Sequence, residues 1–131
     1  MQIDISFPGG KRVDASFNGH VVKTDQSKEA GGDGSAPEPF STFLASIGTC
    51  AGIFVLGFCQ ARNLPTEGIR VTESVEWDPK AHRLSKVKID IHVPPTFPEK
   101  YREPVRRAAE SCSVKKAIFD PPEFVVETKV A

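Results

Sequence analysis

The stretch PFSTFLASIGTCAGIFVLGFCQA, residues 39–61, decides the fold because its 23 residues include no charged side chain. That length would span a bilayer. Serine, threonine, glycine and glutamine dilute the run, however, and a helix that is apolar on several sides can equally lie in a protein core. Its apolar residues follow the i, i+3, i+4, i+7 spacing of a helical face, so we predict a long buried central helix and no membrane partner.

Strand and helix patterns on both sides of this helix indicate an α+β fold. The predicted strands cover residues 2–7, 12–17, 20–24, 69–77, 84–93 and 123–130. The first three form an N-terminal three-stranded meander with a tight turn at Asn18-Gly19, followed by a polar, glycine-rich loop over 25–37 that we expect to be flexible. Two short helices lie between the fifth strand and the final strand, and we predict a single domain over residues 1–131.

Charge and cysteine content exclude several classes of protein. Lysine plus arginine and aspartate plus glutamate each number 17, and the isoelectric point is about 6.8, so we expect no nucleic-acid partner. The first residues lack the basic start and apolar run of a signal peptide, which predicts a cytoplasmic location. Three widely spaced cysteines in a reducing compartment do not form a disulfide framework.

A stripe of small residues on the central helix predicts a second chain. The stripe consists of Ser41, Ala45, Gly48 and Gly52. Small side chains let another backbone approach closely, and a single sheet cannot cover a helix that is apolar on several sides. We therefore predict an obligate homodimer.

The two cysteines of the central helix have different surroundings. Cys50 and Cys59 point to opposite faces and lie roughly 13 Å apart along the helix axis, so they cannot pair in a disulfide. Cys59 projects towards the small residues, and we expect it to be buried in the core. Small neighbours leave a gap over the Cys50 sulfur, which either admits a substrate or is filled by another core side chain.

The third cysteine lies at a predicted helix start. Ser111 is a candidate N-cap, which would place Cys112 in the first turn of the following helix. There the helix dipole would lower the pKa of the thiol. Such a thiol can attack or leave during disulfide exchange, or it can simply pack at the start of a helix.

Two motifs carry a resemblance to a known family. The first is SAPEPFSTFLASIGTC, residues 35–50, which leads into the long apolar helix, and the second is AESCSVKKAI, residues 109–118. Together they resemble the OsmC/Ohr family of osmotically induced and organic hydroperoxide resistance proteins. In that family a proline-led helix start precedes the first cysteine, and a second cysteine, commonly in Cys-Pro-Val, opens a short helix. Here Cys112 is followed by serine and valine.

The resemblance implies both a fold and a chemistry. The family fold is an intertwined α+β homodimer in which two central helices lie between sheets shared by the subunits. The family chemistry is thiol-dependent reduction of hydroperoxides. By similarity, Cys50 would be the peroxidatic thiolate and Cys112 the resolving thiol. The substrate would be a small-molecule peroxide and the reductant an external dithiol, with no cofactor and no metal.

The resemblance also implies a charged partner for the thiolate. Ohr-type proteins hold the reactive thiolate with an arginine from the N-terminal strands, which is itself paired with a glutamate. Arg12 is the candidate arginine in this sequence. Ser41 occupies the usual position of the acid, and Glu38, just before Pro39, is the candidate substitute.

Three other functions are compatible with parts of the sequence. A cysteine-histidine hydrolase could draw on His20, His82 or His92, but no acid or oxyanion loop accompanies them. A zinc site would need closely spaced ligand pairs, which the sequence lacks. The main alternative is a non-catalytic dimer of the same fold that binds a small apolar ligand, with both cysteines incidental.

Overall fold

The computed structural model describes residues 1–131, which form two compact units, Met1–Ser46 and Ile47–Ala131. The architecture is mixed α+β, as the sequence predicts. A three-stranded meander precedes a long helix, which is followed by a two-stranded sheet and short helices. The single domain over residues 1–131 stays a prediction.

The first unit contains the meander. Strands β1 (Asp4–Gly9), β2 (Arg12–Phe17) and β3 (His20–Thr24) pair in antiparallel order. The turn between β2 and β3 has positive φ at Asn18 (48°) and Gly19 (78°), which is the turn that the Asn-Gly pair predicts. The apolar side chains of β1 stay exposed, with Phe7 at 81%.

The loop after β3 differs from the expected flexible segment. Asp25 is fully buried, and its carboxylate accepts hydrogen bonds from the Gln26 amide (2.7 Å) and from the Ser35 amide and hydroxyl (3.0 and 2.6 Å). The Asp25 amide donates to the Pro37 carbonyl at 3.1 Å, which closes the loop. These bonds hold the pKa of Asp25 at about 2, chiefly through the Ser35 hydroxyl. The loop is therefore a closed turn around one carboxylate.

Helix α1 (Pro39–Ala61) has the bounds that the uncharged stretch predicts. Pro39 is the first residue of the helix. A backbone N–H at this position has no acceptor within the helix, so the proline, which lacks an N–H, costs no hydrogen bond. At the other end, Leu64 N–H donates to the Cys59 carbonyl (2.9 Å) and Asn63 N–H to that of Gln60 (3.2 Å), while Asn63 has φ +53°. This left-handed cap ends the helix.

The second unit packs α1 against a hairpin and helix α2. Strands β4 (Arg70–Asp78) and β5 (Arg83–His92) pair antiparallel. A 3-10 turn precedes α2 (Arg102–Glu110), and α3 (Ser113–Phe119) follows it. The core consists of Ala51, Val55, Phe58, Cys59, Phe97, Val105 and Ala109. By length and composition α1 could cross a membrane, but its buried face belongs to this core.

The strand predicted over residues 123–130 is not formed in this chain. Residues 121–131 adopt no regular structure, and Phe124, Val126 and Val130 are at least 84% exposed. The alternation of the sequence provides a strand-like segment, but no strand of the chain pairs with it. The expected final strand is therefore wrong for the single chain.

Candidate thiol site

The second unit brings Cys50 and Cys112 together. Cys50 lies in the middle of α1 and is half-buried, whereas Cys112 is fully buried between α2 and α3. The Cys112 thiol lies within hydrogen-bonding reach of the Cys50 sulfur and is 4.0 Å from the Ile47 carbonyl oxygen, one helical turn before Cys50. The two cysteines that the sequence singled out for redox chemistry are thus neighbours.

Cys112 occupies a different position from the one expected. Ser111 ends α2, and its hydroxyl donates back to the Arg107 carbonyl at 3.5 Å, so it does not cap the next helix. Cys112 itself is the residue before α3, with φ −57° and ψ 126°. The predicted first-turn position is therefore wrong by one residue, because Ser111 is the C-cap of α2, where its backbone N–H donates to the Ala108 carbonyl at 3.1 Å.

The start of α3 acts on Cys50. The Val114 amide hydrogen-bonds to the Cys50 sulfur and is the largest cause that lowers the pKa of this thiol. The Cys112 thiol and the Ser113 amide also lower this pKa, as does the positive charge of Lys115, while burial acts in the opposite direction. A thiolate at Cys50 is therefore stabilised by donors from the segment that carries Cys112.

Cys59 has the structural role predicted for it. It is fully buried in the core of the second unit. Burial raises the pKa of its thiol, and the charge of Arg62 offsets this only in part. A buried thiol with a raised pKa is a poor nucleophile.

Arg12 and Glu38 have local partners in the first unit. The Arg12 guanidinium donates to the carbonyl oxygens of Gly9 (3.3 Å) and Pro8 (3.5 Å). The Glu38 carboxylate accepts a hydrogen bond from the Ser27 amide at 3.3 Å. Their role at the thiol site stays a prediction.

One acidic residue of the second unit escaped the sequence analysis. Glu73 is in register with Ile89 of β5, on the strand face that carries Val71 and Val75. Its Oε1 is buried without a hydrogen-bond partner, and its Oε2 lies where a Cβ of Gly48 would be. Burial raises the pKa of this carboxyl. The signal was an acid in the apolar phase of an alternating strand.

One histidine of the second unit has a local partner. His92 shares a hydrogen bond with the Thr72 hydroxyl at 2.9 Å on the exposed strand surface. No cluster of three or more histidine, cysteine or acidic residues lies close enough to hold a metal ion. The site therefore consists of two thiols, the backbone donors of the α3 start and one lysine.

Comparisons with known proteins identify the family. The family model described as OsmC-like protein matches residues 32–127, although no curated protein sequence is significantly similar to the chain. A crystallised protein from Psychrobacter arcticus, named for osmotic stress induction and a detoxification response, shares 21% identity. The alignment covers 89% of this chain and 87% of that one, with a TM-score of 0.71.

Two further crystal structures share the fold and carry the name organic hydroperoxide resistance protein. That of Legionella pneumophila has a TM-score of 0.58 and 18% identity over 90% of this chain and 89% of that one. That of Vibrio cholerae, with captopril in one of its active sites, has a TM-score of 0.61 and 22% identity over 90% and 84%. These likenesses establish the fold, and the family model spans nearly three quarters of the sequence. The chain therefore belongs to the OsmC-like protein family.

Proposed function

We propose that the protein is a thiol-dependent peroxidase that reduces organic hydroperoxides through Cys50 and Cys112. The observation that carries the proposal is the placement of a second thiol beside a thiol whose pKa is lowered by backbone amides. The names of its structural relatives, two of which refer to organic hydroperoxide resistance, support the same chemistry.

The reaction begins at Cys50. Its thiolate attacks the distal oxygen of the hydroperoxide ROOH, the O–O bond breaks, and the sulfur becomes a sulfenic acid. The departing alkoxide takes up one proton and leaves as the alcohol ROH. The amides of Ser113 and Val114 favour the thiolate form in which Cys50 reacts.

Cys112 completes the oxidative half of the cycle. Its thiol attacks the Cys50 sulfenic acid, an S–S bond forms, and water leaves. An external dithiol then reduces this disulfide by two exchange steps and is itself oxidised to a disulfide. No cofactor enters the balance, and a cytoplasmic location would keep such reductants available.

We also propose that the protein is a homodimer, because several of its apolar side chains are exposed in the single chain. Phe7 on β1, Ile53 on α1 and Phe124 near the carboxyl terminus are 81%, 58% and 84% exposed. A Cβ at Gly52 would meet nothing within 4 Å, so this part of the small-residue stripe is open to a partner. Sedimentation at micromolar concentration should give twice the mass of the 14.3 kDa chain, and a monomer would contradict this part of the proposal.

Thiol titration tests the chemistry. Free thiols are counted before and after one equivalent of cumene hydroperoxide, and the peptide containing each cysteine is identified by mass spectrometry. We expect prompt loss of Cys50 and Cys112 as a disulfide in the wild type and in Cys59→Ala, and no disulfide in Cys50→Ser. Unchanged thiols in the wild type would reject the peroxidase and favour a non-catalytic dimer that binds an apolar ligand.

A further inference from the structure

We infer that the external dithiol attacks the Cys50 sulfur of the Cys50–Cys112 disulfide, so that Cys112 is released first and Cys50 carries the mixed disulfide with the reductant. The inference rests on the proposed function, which requires these two cysteines to form a disulfide. It adds the order of the two exchange steps and makes Cys50 the atom-level contact point of both the peroxide and the dithiol.

The two cysteines of the pair differ in exposure. Cys112 is 0% exposed in the corner between α2 and α3, whereas Cys50 on α1 is only half-buried. An attacking thiolate must reach the sulfur with which it exchanges. Cys50 therefore offers the sulfur of the pair that a dissolved thiol can reach while the protein stays folded.

Closing the disulfide does not uncover Cys112. Its thiol already lies within hydrogen-bonding reach of the Cys50 sulfur and 4.0 Å from the Ile47 carbonyl oxygen of α1. An S–S bond is about 2.05 Å long, so a small side-chain movement closes it. The backbone is bonded on both sides of Cys112, because the Ser111 N–H donates to a carbonyl of α2 and the Lys116 N–H to the Cys112 carbonyl, both at 3.1 Å. Cys112 therefore stays covered in the oxidised protein.

The pKa of the leaving thiol acts in the other direction in the first step. Attack on Cys112 would release Cys50, whose pKa is lowered by the amides of Val114 and Ser113, and a thiol of lower pKa leaves faster. This preference has no effect unless the reductant reaches Cys112, which requires the packed corner between α2 and α3 to open. We therefore expect exposure to decide the first step and the lowered pKa to speed the second, in which Cys50 leaves.

Both steps balance without a further reactant. In the first, a thiolate of the reductant forms an S–S bond with Cys50, the Cys50–Cys112 bond breaks, and Cys112 takes the electron pair and a proton. In the second, the other thiol of the reductant loses its proton and attacks the reductant sulfur that is bound to Cys50. The reductant leaves as a disulfide, and Cys50 returns to the thiolate from which the cycle starts.

A monothiol identifies the attacked sulfur, because it cannot complete the second step within one molecule. In Cys59→Ala, which removes the third thiol, the disulfide is formed with the thiol oxidant diamide, and the folded protein is treated briefly with glutathione. Mildly acidic urea containing N-ethylmaleimide then stops the exchange, since thiols are protonated there, and labels the released cysteine. By mass spectrometry we expect glutathione on the Cys50 peptide and maleimide on the Cys112 peptide, at least about tenfold in excess over the reverse product.

Unfolding supplies the matched control. When the same disulfide is treated with glutathione in neutral urea, Cys112 is no longer covered, and the two products should form in comparable amounts. Glutathione chiefly on Cys112 in the folded protein, or the same product ratio with and without urea, would overturn the inference. If diamide forms the disulfide but cumene hydroperoxide does not, the peroxidase proposal fails while the product ratio still decides the inference. If diamide forms no Cys50–Cys112 disulfide, both fail.

Discussion

Cys50 and Cys59 lie on the same helix, yet their thiols differ in the direction of their pKa shifts. Burial raises the pKa of Cys59, where only the charge of Arg62 opposes it. Burial acts on Cys50 as well, but the amides of the α3 start and the Cys112 thiol reverse the result. The difference teaches that donors from a second element, and not the helix that carries the cysteine, decide the direction in which the pKa of each thiol moves.

Two carboxyl groups repeat the contrast in other parts of the molecule. Asp25 is fully buried and accepts hydrogen bonds from Gln26 and Ser35, and its pKa falls to about 2. Glu73 has one buried oxygen without a partner, and burial raises its pKa. Hydrogen-bond donors therefore determine the direction of the pKa shift at Asp25, and burial determines it at Glu73.

The largest expected effect separates the two helix thiols. In the native protein at neutral pH, iodoacetamide should modify Cys50 at least about 100-fold faster than Cys59, because one has a lowered pKa and the other is buried with a raised one. Mass spectrometry of the two peptides measures both rates in one sample. In urea the rates should converge, and similar rates in the native state would break the comparison.

The second largest effect is expected when the Asp25 carboxylate, which accepts hydrogen bonds from Gln26 and Ser35, is removed. Asp25→Ala leaves the Ser35 hydroxyl and the amides of Ser35 and Gln26 without their acceptor, which should lower Tm by roughly 5 °C or more. Calorimetry measures Tm. Asp33→Ala, an exposed carboxylate in the same loop, is the matched control and should leave Tm nearly unchanged. An equal loss in both variants would mean that the hydrogen bonds of Asp25 are not what holds the loop.

The pH dependence of Asp25 follows from its lowered pKa. Its contribution to stability is fully present above its ordinary value of 3.8 and is lost as pH falls through about 2. Acid unfolding of the wild type should therefore be steeper between pH 4 and pH 2 than that of Asp25→Asn. Parallel acid-unfolding curves would show that the carboxylate is not preferentially ionised in the folded protein.

A smaller effect of opposite sign is expected at Glu73. A raised pKa means that the folded state favours the protonated carboxyl, so this contribution to stability is present below 4.5 and is lost as pH rises through the folded value. Glu73→Gln should therefore raise Tm at pH 7 by roughly 2 °C, with a smaller gain at pH 4. Glu76→Gln, exposed on the same strand, is the control, and a gain that does not depend on pH would contradict the assignment.

The smallest effect concerns the glycine that faces Glu73. An alanine at an exposed helical glycine usually stabilises by about 0.5–1 kcal/mol, and Gly57→Ala should do so because its Cβ would meet nothing within 4 Å. Gly48→Ala should gain nothing, because its Cβ would collide with the Glu73 carboxylate. Combining it with Glu73→Ala should restore the gain. Urea unfolding of the wild type, Gly48→Ala, Glu73→Ala and the double variant measures the coupling, and additive effects would show that the two residues do not touch.

Local signals predicted the elements better than the contacts between them. The uncharged run gave the bounds of α1, and Asn18-Gly19 gave the hairpin turn, since both depend on short-range backbone preferences. The 123–130 segment has a strand pattern, but a strand also needs a neighbour, and that information is not local. Likewise, nothing in residues 25–37 reveals that Ser35 folds back onto Asp25.

The candidate site was predictable only in part for the same reason. Cys50 and Cys112 stand out as residues, and the structure places them together. Their donors are the main-chain amides of Ser113 and Val114, which every non-proline residue possesses and which therefore leave no mark in the sequence. Glu73, in contrast, could have been found from the strand phase alone.

Because the Cys112 thiol contacts the Ile47 carbonyl oxygen, the infrared band of this backbone carbonyl should depend on the redox state of Cys112. A disulfide has no S–H, so oxidation of Cys112 would remove this hydrogen bond to the Ile47 carbonyl oxygen. Only the hydrogen bond from the backbone N–H of the helix would then remain. An isotopic label in the Ile47 carbonyl would then shift to higher infrared frequency on oxidation. Vibrational spectroscopy could thereby follow the redox state of the pair without a dye attached to either sulfur.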